Sequence, residues 1–263
     1  MTNPAMAIQS SPIANPEAVL EACIAKRALR RQLRVDLPRT RYAVRRIFST
    51  LKDSPAEHAL VVGVGHGHDA VMALLDDQVR LLDGVDPYIS DDGNDDDDFN
   101  ELLSLIEATG LQRRMFVHRT TIDEHLSATT QHYDLIVIND VLHHLFLTRS
   151  RLESSQLFER AVHLAAALRK VASDDCTLTI CDVERHGMRQ LLYRMGLMRS
   201  WVDFSTKQHW GSWVRAFKES GWQLHSKRNY VPFALRTLEP LLSTPLGSFT
   251  ACERYIVRMR PAR

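Results

Sequence analysis

The sequence ALVVGVGHGHDAVMALL, from Ala59 to Leu75, contains the clearest signal in the chain. An apolar run, Ala59 to Val62, is followed at once by glycines at alternate positions, Gly63, Gly65 and Gly67. Apolar residues with helical spacing come next, at Val71, Leu74 and Leu75. This order predicts a buried strand, a tight turn and the start of a helix. Glycine suits the turn because it adopts positive φ angles and lets a ligand approach the backbone, and the helix N-terminus offers N–H donors.

Two further apolar runs end in polar residues. The run Val79 to Val85 ends in Asp86, where nucleoside-binding α/β folds place an acid that accepts ribose hydroxyls. A third run, Tyr133 to Val137, leads into the sequence NDVLHH at positions 139–144. Each run has the length and composition of a buried strand. The three runs predict a ligand site beyond the ends of neighbouring strands.

These motifs resemble those of the class I S-adenosylmethionine-dependent methyltransferases. GVGHG is similar to their glycine motif, VDPY to their ribose-binding motif and YDLIVINDVLHHL to their fourth-strand motif, and the resemblance spans roughly Leu51 to Arg260. It implies adenosylmethionine as cofactor, S-adenosylhomocysteine as product, and cofactor contacts from Gly63, Gly65, Gly67, His68, Asp86, Pro87, Thr121, Ile122, Asn139 and Asp140. The alternative cofactor is NAD. The glycine motif typical of NAD-binding proteins has its third glycine three positions after the second, whereas Gly67 is only two positions after Gly65.

The glycine motif departs from the family at one position. Where the family usually has an acid that helps to hold the methionine end of the cofactor, two residues before the first glycine, this chain has Val61. The amino and carboxylate groups of the cofactor must then be held by the backbone or by other side chains. His66, His68 and Asp69 are the nearby candidates.

Composition narrows the class of protein. The chain has 263 residues, a formal net charge of +1 and a hydrophobic share of 44%, so no global field attracts nucleic acid or a membrane surface. No apolar run reaches the length of a membrane span, and the N-terminus lacks the pattern of a secretory signal. Four cysteines without CxxC spacing, Cys23, Cys176, Cys181 and Cys252, favour reduced thiols in a cytoplasmic protein.

Strands alternating with helices predict an α/β fold with a doubly wound, mostly parallel sheet. The resemblance implies seven strands, closed by an antiparallel hairpin from 222–230 and 252–259 around a long loop with Pro240 and Pro245. We divide the chain into a tail (1–15), an N-terminal helical cap (16–54) and a Rossmann-like domain (55–263). Within that domain, an insertion at about 183–213 is either a lid over the substrate or a helix packed on the core. The acidic run Asp91–Asp98 is expected to be a mobile surface loop.

Methyl transfer needs alignment of the acceptor and sometimes a base. Candidate catalytic residues at strand ends are His143, His144 and Asp182, although such histidines also pack near the cofactor without acting as bases. Candidate substrate contacts are Tyr193, Trp201, His209 and Trp210, which could equally belong to the core. No Asp–Asn pair completes a metal site, and Asn-Asp-Val-Leu at 139–142 differs from the Pro-Pro-aromatic motif of enzymes that methylate nucleic-acid bases.

The sequence therefore predicts a metal-independent methyltransferase that modifies a small molecule at nitrogen, oxygen or an acidic carbon. The Arg-rich segment Lys26–Arg46 leaves alternatives open, since it is either a pair of solvated helix faces or a basic patch for an anionic substrate or RNA. An RNA or protein methyltransferase, and a non-catalytic binding module with the same fold, are the competing hypotheses. Whether two copies of the chain form a homodimer is also left open.

Overall fold

A computed structural model describes residues 15–31, 35–52, 54–89, 95–146, 155–185, 187–197, 207–252 and 254–262. Its strands are β1 (Ala56–Val62), β2 (Val79–Val85), β3 (Met115–His118), β4 (Tyr133–Asn139), β5 (Ala172–Val183), β6 (Trp222–Tyr230) and β7 (Arg254–Pro261). They form one sheet in the order β3-β2-β1-β4-β5-β7-β6. The first five strands are parallel, and β7 is antiparallel to both β5 and β6. The predicted seven-stranded α/β sheet with a C-terminal antiparallel pair is confirmed.

The helices within the described ranges are α1 (Pro16–Arg31), α2 (Leu37–Ile47), α3 (His68–Leu75), α4 (Asp96–Ala108), α5 (Ile122–Ala128), α6 (Leu142–Leu145), α7 (Ser155–Val171), α8 (Met188–Arg194), α9 (Trp210–Glu219), α10 (Glu239–Leu242) and α11 (Pro245–Ala251), with a 3₁₀ helix at Phe233–Leu238. None of them combines the length and the apolar character needed to cross a membrane.

The helices cover both faces of the sheet, and each face has its own hydrophobic core. The first core joins α1 to α4 to the sheet and includes Leu20, Val44, Val71 and Leu102. The second core joins α5, α7 and α9 to the opposite face and includes Trp213. Strand β1 is buried on both faces from Ala59 to Val62, which explains its uninterrupted apolar sequence. The parallel central strands consequently end together at one edge, beneath the glycine turn.

The prediction of a loop through Pro240 and Pro245 is wrong. The segment holds the 3₁₀ helix, α10 and α11, and each proline lies in the first turn of a helix. Proline is favoured there because the first backbone N–H groups of a helix have no partner within the helix. The prolines therefore mark helix starts rather than the absence of helices.

The prediction of a mobile loop over Asp91–Asp98 is wrong for its second half, whereas residues 90–94 lie outside the described ranges. Helix α4 begins at Asp96, and the Asp95 carboxylate accepts hydrogen bonds from the backbone N–H groups of Asp97 and Asp98 at 3.0 and 3.1 Å. Negative charge at a helix N-terminus is stabilised by the helix dipole. The repulsion between the aspartates is thus offset by capping.

The proposed domain boundaries remain predictions, but the structure indicates how two of the segments pack. Helices α1 and α2 contribute to the first core, together with α3. At the end of the insertion at 183–213, Trp213 is 1% exposed within the second core. That end of the insertion is therefore part of the domain interior, and the question of a lid concerns the part that precedes α9.

Candidate functional site

A cavity of about 380 Å³ lies at the carboxyl ends of β1, β2 and β4. Its volume is within the range of ~300–1,000 Å³ that is typical of small-molecule sites. Ligands in open α/β sheets bind at this edge. Arg27 of α1 contributes to one wall, and the cavity also brings together most of the predicted cofactor residues: Gly63, Gly65, Gly67, His68, Asp86, Pro87, Asn139 and Asp140.

The glycine turn forms the floor of the cavity. The Gly63 N–H donates to the Val85 carbonyl at 2.7 Å, which fastens the turn to β2. Gly63 has φ +71°, and a Cβ atom on it would lie 2.1 Å from Cγ2 of Val141. Gly67 has φ +66° at the N-cap of α3. Larger residues at these two positions would be strained in the backbone, so the turn keeps its backbone open to the cavity.

The carboxylate of Asp86 is bound to this turn. Its Oδ2 accepts a hydrogen bond from the Gly65 N–H at 3.0 Å, and its Oδ1 accepts from the Tyr88 N–H at 2.9 Å. The Tyr88 hydroxyl donates to the Gly65 carbonyl at 2.7 Å, which closes a ring of contacts. Each carboxylate oxygen can accept more than one hydrogen bond, so Asp86 can also receive the hydroxyls of a ligand. Tyr88 was not predicted as a site residue, although it stands within the VDPY motif.

A chain of four polar side chains, here called the Asp69 network, lies at the inner end of the cavity. The Asn139 amide donates to Oδ2 of Asp69 at 3.3 Å, and its oxygen accepts from Arg254 at 2.9 Å. Arg254 also forms an ion pair with Asp140, a residue with φ +55°. Burial raises the pKa of both carboxyl groups, and the guanidinium of Arg254 opposes this effect only in part. Sequence reasoning missed Arg254, whose only signal is a charge in an apolar strand.

The three candidate catalytic residues, His143, His144 and Asp182, lie next to one another. The ring centroids of His143 and His144 lie 4.2 Å apart. His144 lines the cavity, whereas His143 is buried and its Nδ1 lies 2.9 Å from Oδ1 of Asp182. The carboxylate of Asp182 also accepts from the Val183 N–H at 2.7 Å. A carboxylate in this position fixes the orientation and the tautomer of an imidazole.

Two predicted cofactor residues lie outside the lining of the cavity. Thr121 is the N-cap of α5, where its hydroxyl accepts from the Glu124 N–H at 3.3 Å. Ile122 is buried in the second core. Both have structural roles that explain their positions, and a contact with the cofactor remains a prediction.

Three of the four predicted substrate residues, Tyr193, His209 and Trp210, lie outside the lining of the cavity. Tyr193 is exposed on α8. His209 caps α9, with its Nδ1 accepting from the Gly211 N–H at 3.1 Å, and Trp210 packs against the second core. Trp201 lies outside the described residues. The role of these four side chains in binding a substrate therefore stays a prediction.

A second cavity, a groove of about 510 Å³ between α1 and α4, adjoins the first. Arg27, His66 and His68 line both. Nδ1 of His66 lies 3.1 Å from Oδ1 of Asp98, and burial, with help from Arg27, lowers the pKa of His68 to about 3. With Glu101, His66 and Asp98 could supply ligand atoms within 4.8 Å of one another to a metal.

That potential metal site is already engaged by other contacts. His66 is paired with Asp98, and the carboxylate of Glu101 accepts from Lys26 at 3.1 Å and from Arg30 at 2.8 Å. A cation would have to displace these contacts. The prediction that the reaction needs no metal is neither supported nor contradicted by this group.

No family model matches the sequence, and no curated protein matches it either. Solved structures do match its fold. Mitomycin 7-O-methyltransferase MmcR is 14% identical with a TM-score of 0.55, over 95% of this chain and 61% of MmcR. The plantazolicin methyltransferase BpumL, solved in complex with SAH, is 14% identical with a TM-score of 0.54, over 94% of this chain and 95% of BpumL.

The same fold also occurs in a protein named for another reaction. The [4+2]-cyclase SpnF is 11% identical with a TM-score of 0.51, over 86% of this chain and 82% of SpnF. Identities this low concern the fold alone, and this chain spans less than two thirds of the length of MmcR. The sheet order, the glycine turn and these likenesses together give the chain the fold of the class I adenosylmethionine-dependent methyltransferases.

Proposed function

We propose that the protein is an adenosylmethionine-dependent methyltransferase that acts on a small molecule at nitrogen, oxygen or an acidic carbon. The observation that carries the proposal is the carboxylate of Asp86, held by the glycine turn at the floor of a cavity beyond three parallel strands. Proteins with this fold are named as methyltransferases, among them the mitomycin 7-O-methyltransferase MmcR and the plantazolicin methyltransferase BpumL. The fold alone does not select the reaction, so the proposal depends on the cavity.

The residues present fit a sulfonium nucleoside. Asp86 would accept both ribose hydroxyls, and the turn around Gly63 and Gly65 leaves room for the ligand beside its backbone. Asn139 and Asp140 face the end of the cavity where the amino-acid part would lie. The carboxylates of Asp69, Asp86 and Asp140 give the lining a negative character, which complements a sulfonium cation.

When bound, adenosylmethionine supplies an electrophilic methyl group. The chain's own contribution is to align the acceptor and to receive its proton. His144 is the candidate base because it lines the cavity. We infer that His143 is a positioning residue: Asp182 accepts a hydrogen bond from its Nδ1–H group, and the His143 ring packs against His144.

A small acceptor is favoured over RNA because five basic side chains of α1 and α2 are already paired with acids of the chain: Lys26 and Arg30 with Glu101, Arg41 and Arg45 with Asp76, and Arg46 with Glu239. An RNA-binding face needs cations that can neutralise phosphates. Transfer without a metal is favoured because Asp140 and Asp182, two strand-end carboxylates that could serve as ligands, are engaged by Arg254 and His143.

Calorimetry with adenosylmethionine, adenosylhomocysteine and NAD tests the cofactor. We expect the first two to bind and NAD to bind more weakly or not at all. Asp86→Ala should weaken both by about 100-fold, since it removes two charge-assisted hydrogen bonds worth ~1.5 kcal/mol each. Equal affinity of wild type and Asp86→Ala for adenosylhomocysteine would refute the assignment of the ribose site.

A second candidate, a binding module without catalysis, is favoured by one observation, the buried Val61 in place of an acid. Incubation with adenosylmethionine labelled in its methyl group and a panel of amines, phenols and acidic carbons separates the two. Transfer of label to any acceptor excludes the binding module.

A further inference from the structure

Asp69 is the one acidic residue in the first turn of α3, and it lines the cavity. Among the described residues, Asn139 is the one hydrogen-bond donor to its side chain, at a long 3.3 Å. An ionised carboxylate offers about four acceptor positions. Partial burial with so few donors is costly for an anion unless a cation joins it. The chain thus holds an acceptor in the cavity wall whose hydrogen-bonding capacity is largely unused by the protein.

Asn139 fixes the direction of this acceptor. Its amide oxygen accepts from Arg254 at 2.9 Å, so its NH₂ group must point to Asp69. Arg254 is in turn held by Asp140. The amide cannot rotate to offer its oxygen to a ligand without losing both contacts. A cationic group of the ligand therefore meets the Asp69 carboxylate on the side that Asn139 leaves open.

The other candidates near Val61 do not offer a negative charge. Val61 is 5% exposed in the first core. His66 lies beside Asp98, and the pKa of His68 is lowered to about 3, which keeps that imidazole neutral. Arg27, on the same cavity wall, carries the charge that would suit the opposite, carboxylate end of an amino-acid group. Asp69 and Arg27 thus flank a space with opposite charges.

We propose that Asp69 binds the primary ammonium group of the cofactor's amino-acid end. It would thereby replace the acid that is missing at position 61, where this chain has Val61. This inference rests on the proposed function, since it assumes a ligand that carries both a nucleoside and an amino-acid end. It makes Asp69 a specificity-determining residue: it distinguishes ligands that have the ammonium group from nucleosides that lack it.

The test compares three ligands by calorimetry: adenosylhomocysteine, decarboxylated adenosylmethionine and 5′-methylthioadenosine. The first two contain the ammonium group, and the third lacks the whole amino-acid end. Asp69→Asn should weaken the first two by about 10- to 100-fold, the range for a charge-assisted hydrogen bond, and should change 5′-methylthioadenosine by less than twofold. Asp76→Asn is the matched control, because Asp76 caps the other end of α3 and does not line the cavity.

Thermal unfolding of each variant verifies that it is folded before binding is measured. Unchanged affinity of Asp69→Asn for adenosylhomocysteine would overturn the inference, and so would an equal loss for all three ligands. Wild type that binds none of the three would overturn the proposed function and this inference with it. Wild type that binds the nucleoside while Asp69→Asn binds adenosylhomocysteine normally would overturn the inference alone.

Discussion

Two carboxylates on opposite faces of the sheet have opposite surroundings. Asp69 belongs to the Asp69 network at the open end of the strands. Asp83 of β2 is the centre of a second group, here called the Asp83 cluster, which lies on the side of the second core and comprises His58, Asp83, His118, His125 and Tyr133. Both groups link several elements of the fold, and each contains one of the two acids. They differ in how many donors surround that acid.

Asp83 has three polar side-chain partners among the described residues. His58 and His118 each place a ring nitrogen 3.1 Å from it, and the Tyr133 hydroxyl donates to it at 2.8 Å. Burial alone would raise its pKa, but these contacts outweigh burial and lower the pKa to about 2. At Asp69, burial prevails and raises the pKa. A carboxylate with several partners, such as Asp83, stabilises the fold. A carboxylate with one donor, such as Asp69, can still accept hydrogen bonds from a ligand.

The largest expected effect comes from Asp83→Asn, which removes the charge that three side chains share. We expect the free energy of unfolding to fall by about 2–3 kcal/mol, measured by urea denaturation. Asp77→Asn is the control, since the Asp77 side chain is 81% exposed and pairs only with Arg114 among the described residues; its effect should stay within about 0.5 kcal/mol. Equal effects of the two substitutions on the free energy of unfolding would mean that the number of partners of a carboxylate does not determine its contribution to stability.

The stability difference between wild type and Asp83→Asn should also depend on pH, and the sign of that dependence follows from the pKa of Asp83. The pKa of Asp83 is lower in the folded state, about 2, than the ~3.9 of an unfolded aspartate. The stability it contributes is therefore present above pH ~4 and is lost as the pH falls towards 2. The difference in unfolding free energy between wild type and Asp83→Asn should shrink over that window. A difference that stays constant from pH 6 to pH 2.5 would show that the ionised carboxylate is not what stabilises the cluster.

The next effect is that of Tyr133→Phe. Its hydroxyl donates to Asp83 and lies 3.1 Å from Nε2 of His125, whose pKa is lowered by burial. Loss of this link should cost about 1–1.5 kcal/mol. In a double-mutant cycle with Asp83→Asn, we expect a coupling energy of about 1 kcal/mol. Strict additivity would mean that the tyrosine acts by packing rather than through the carboxylate.

The sequence predicted the floor of the candidate site better than its walls. The glycine turn, Asp86 and Asn139 follow directly from the ends of apolar runs, and all lie at the cavity. Arg254 could not be predicted in this way, because it reaches Asn139 across 115 residues of chain. The partners of Asp83 come from three other strands, β1, β3 and β4, and their distances along the chain give no sign that they meet.

The same limit applies to the helices of the C-terminal segment and to α4. Proline and a run of aspartates are typical of loops when a segment is judged by its composition alone. Both are nevertheless favoured in the first turn of a helix. For α4, the deciding factors are local capping by Asp95 and the packing of the helix on the first core. The mostly parallel sheet with its C-terminal antiparallel pair, by contrast, followed from the alternation of strands and helices together with the resemblance.

The smallest expected effect has the opposite sign. Because the pKa of Asp69 is raised in the folded state, its ionised form opposes folding when no cation is bound. Asp69→Asn should therefore raise the free energy of unfolding at pH 7, by about 1 kcal/mol, the lower end of the cost of an under-partnered buried group. The gain should vanish below the unfolded pKa of ~3.9, where Asp69 is protonated in both states. Urea denaturation of both variants at pH 7 and at about pH 3 measures the two opposite effects in one experiment. A loss of stability in Asp69→Asn at pH 7 would mean that this carboxylate, too, stabilises the fold and does not keep its hydrogen-bonding capacity for a ligand.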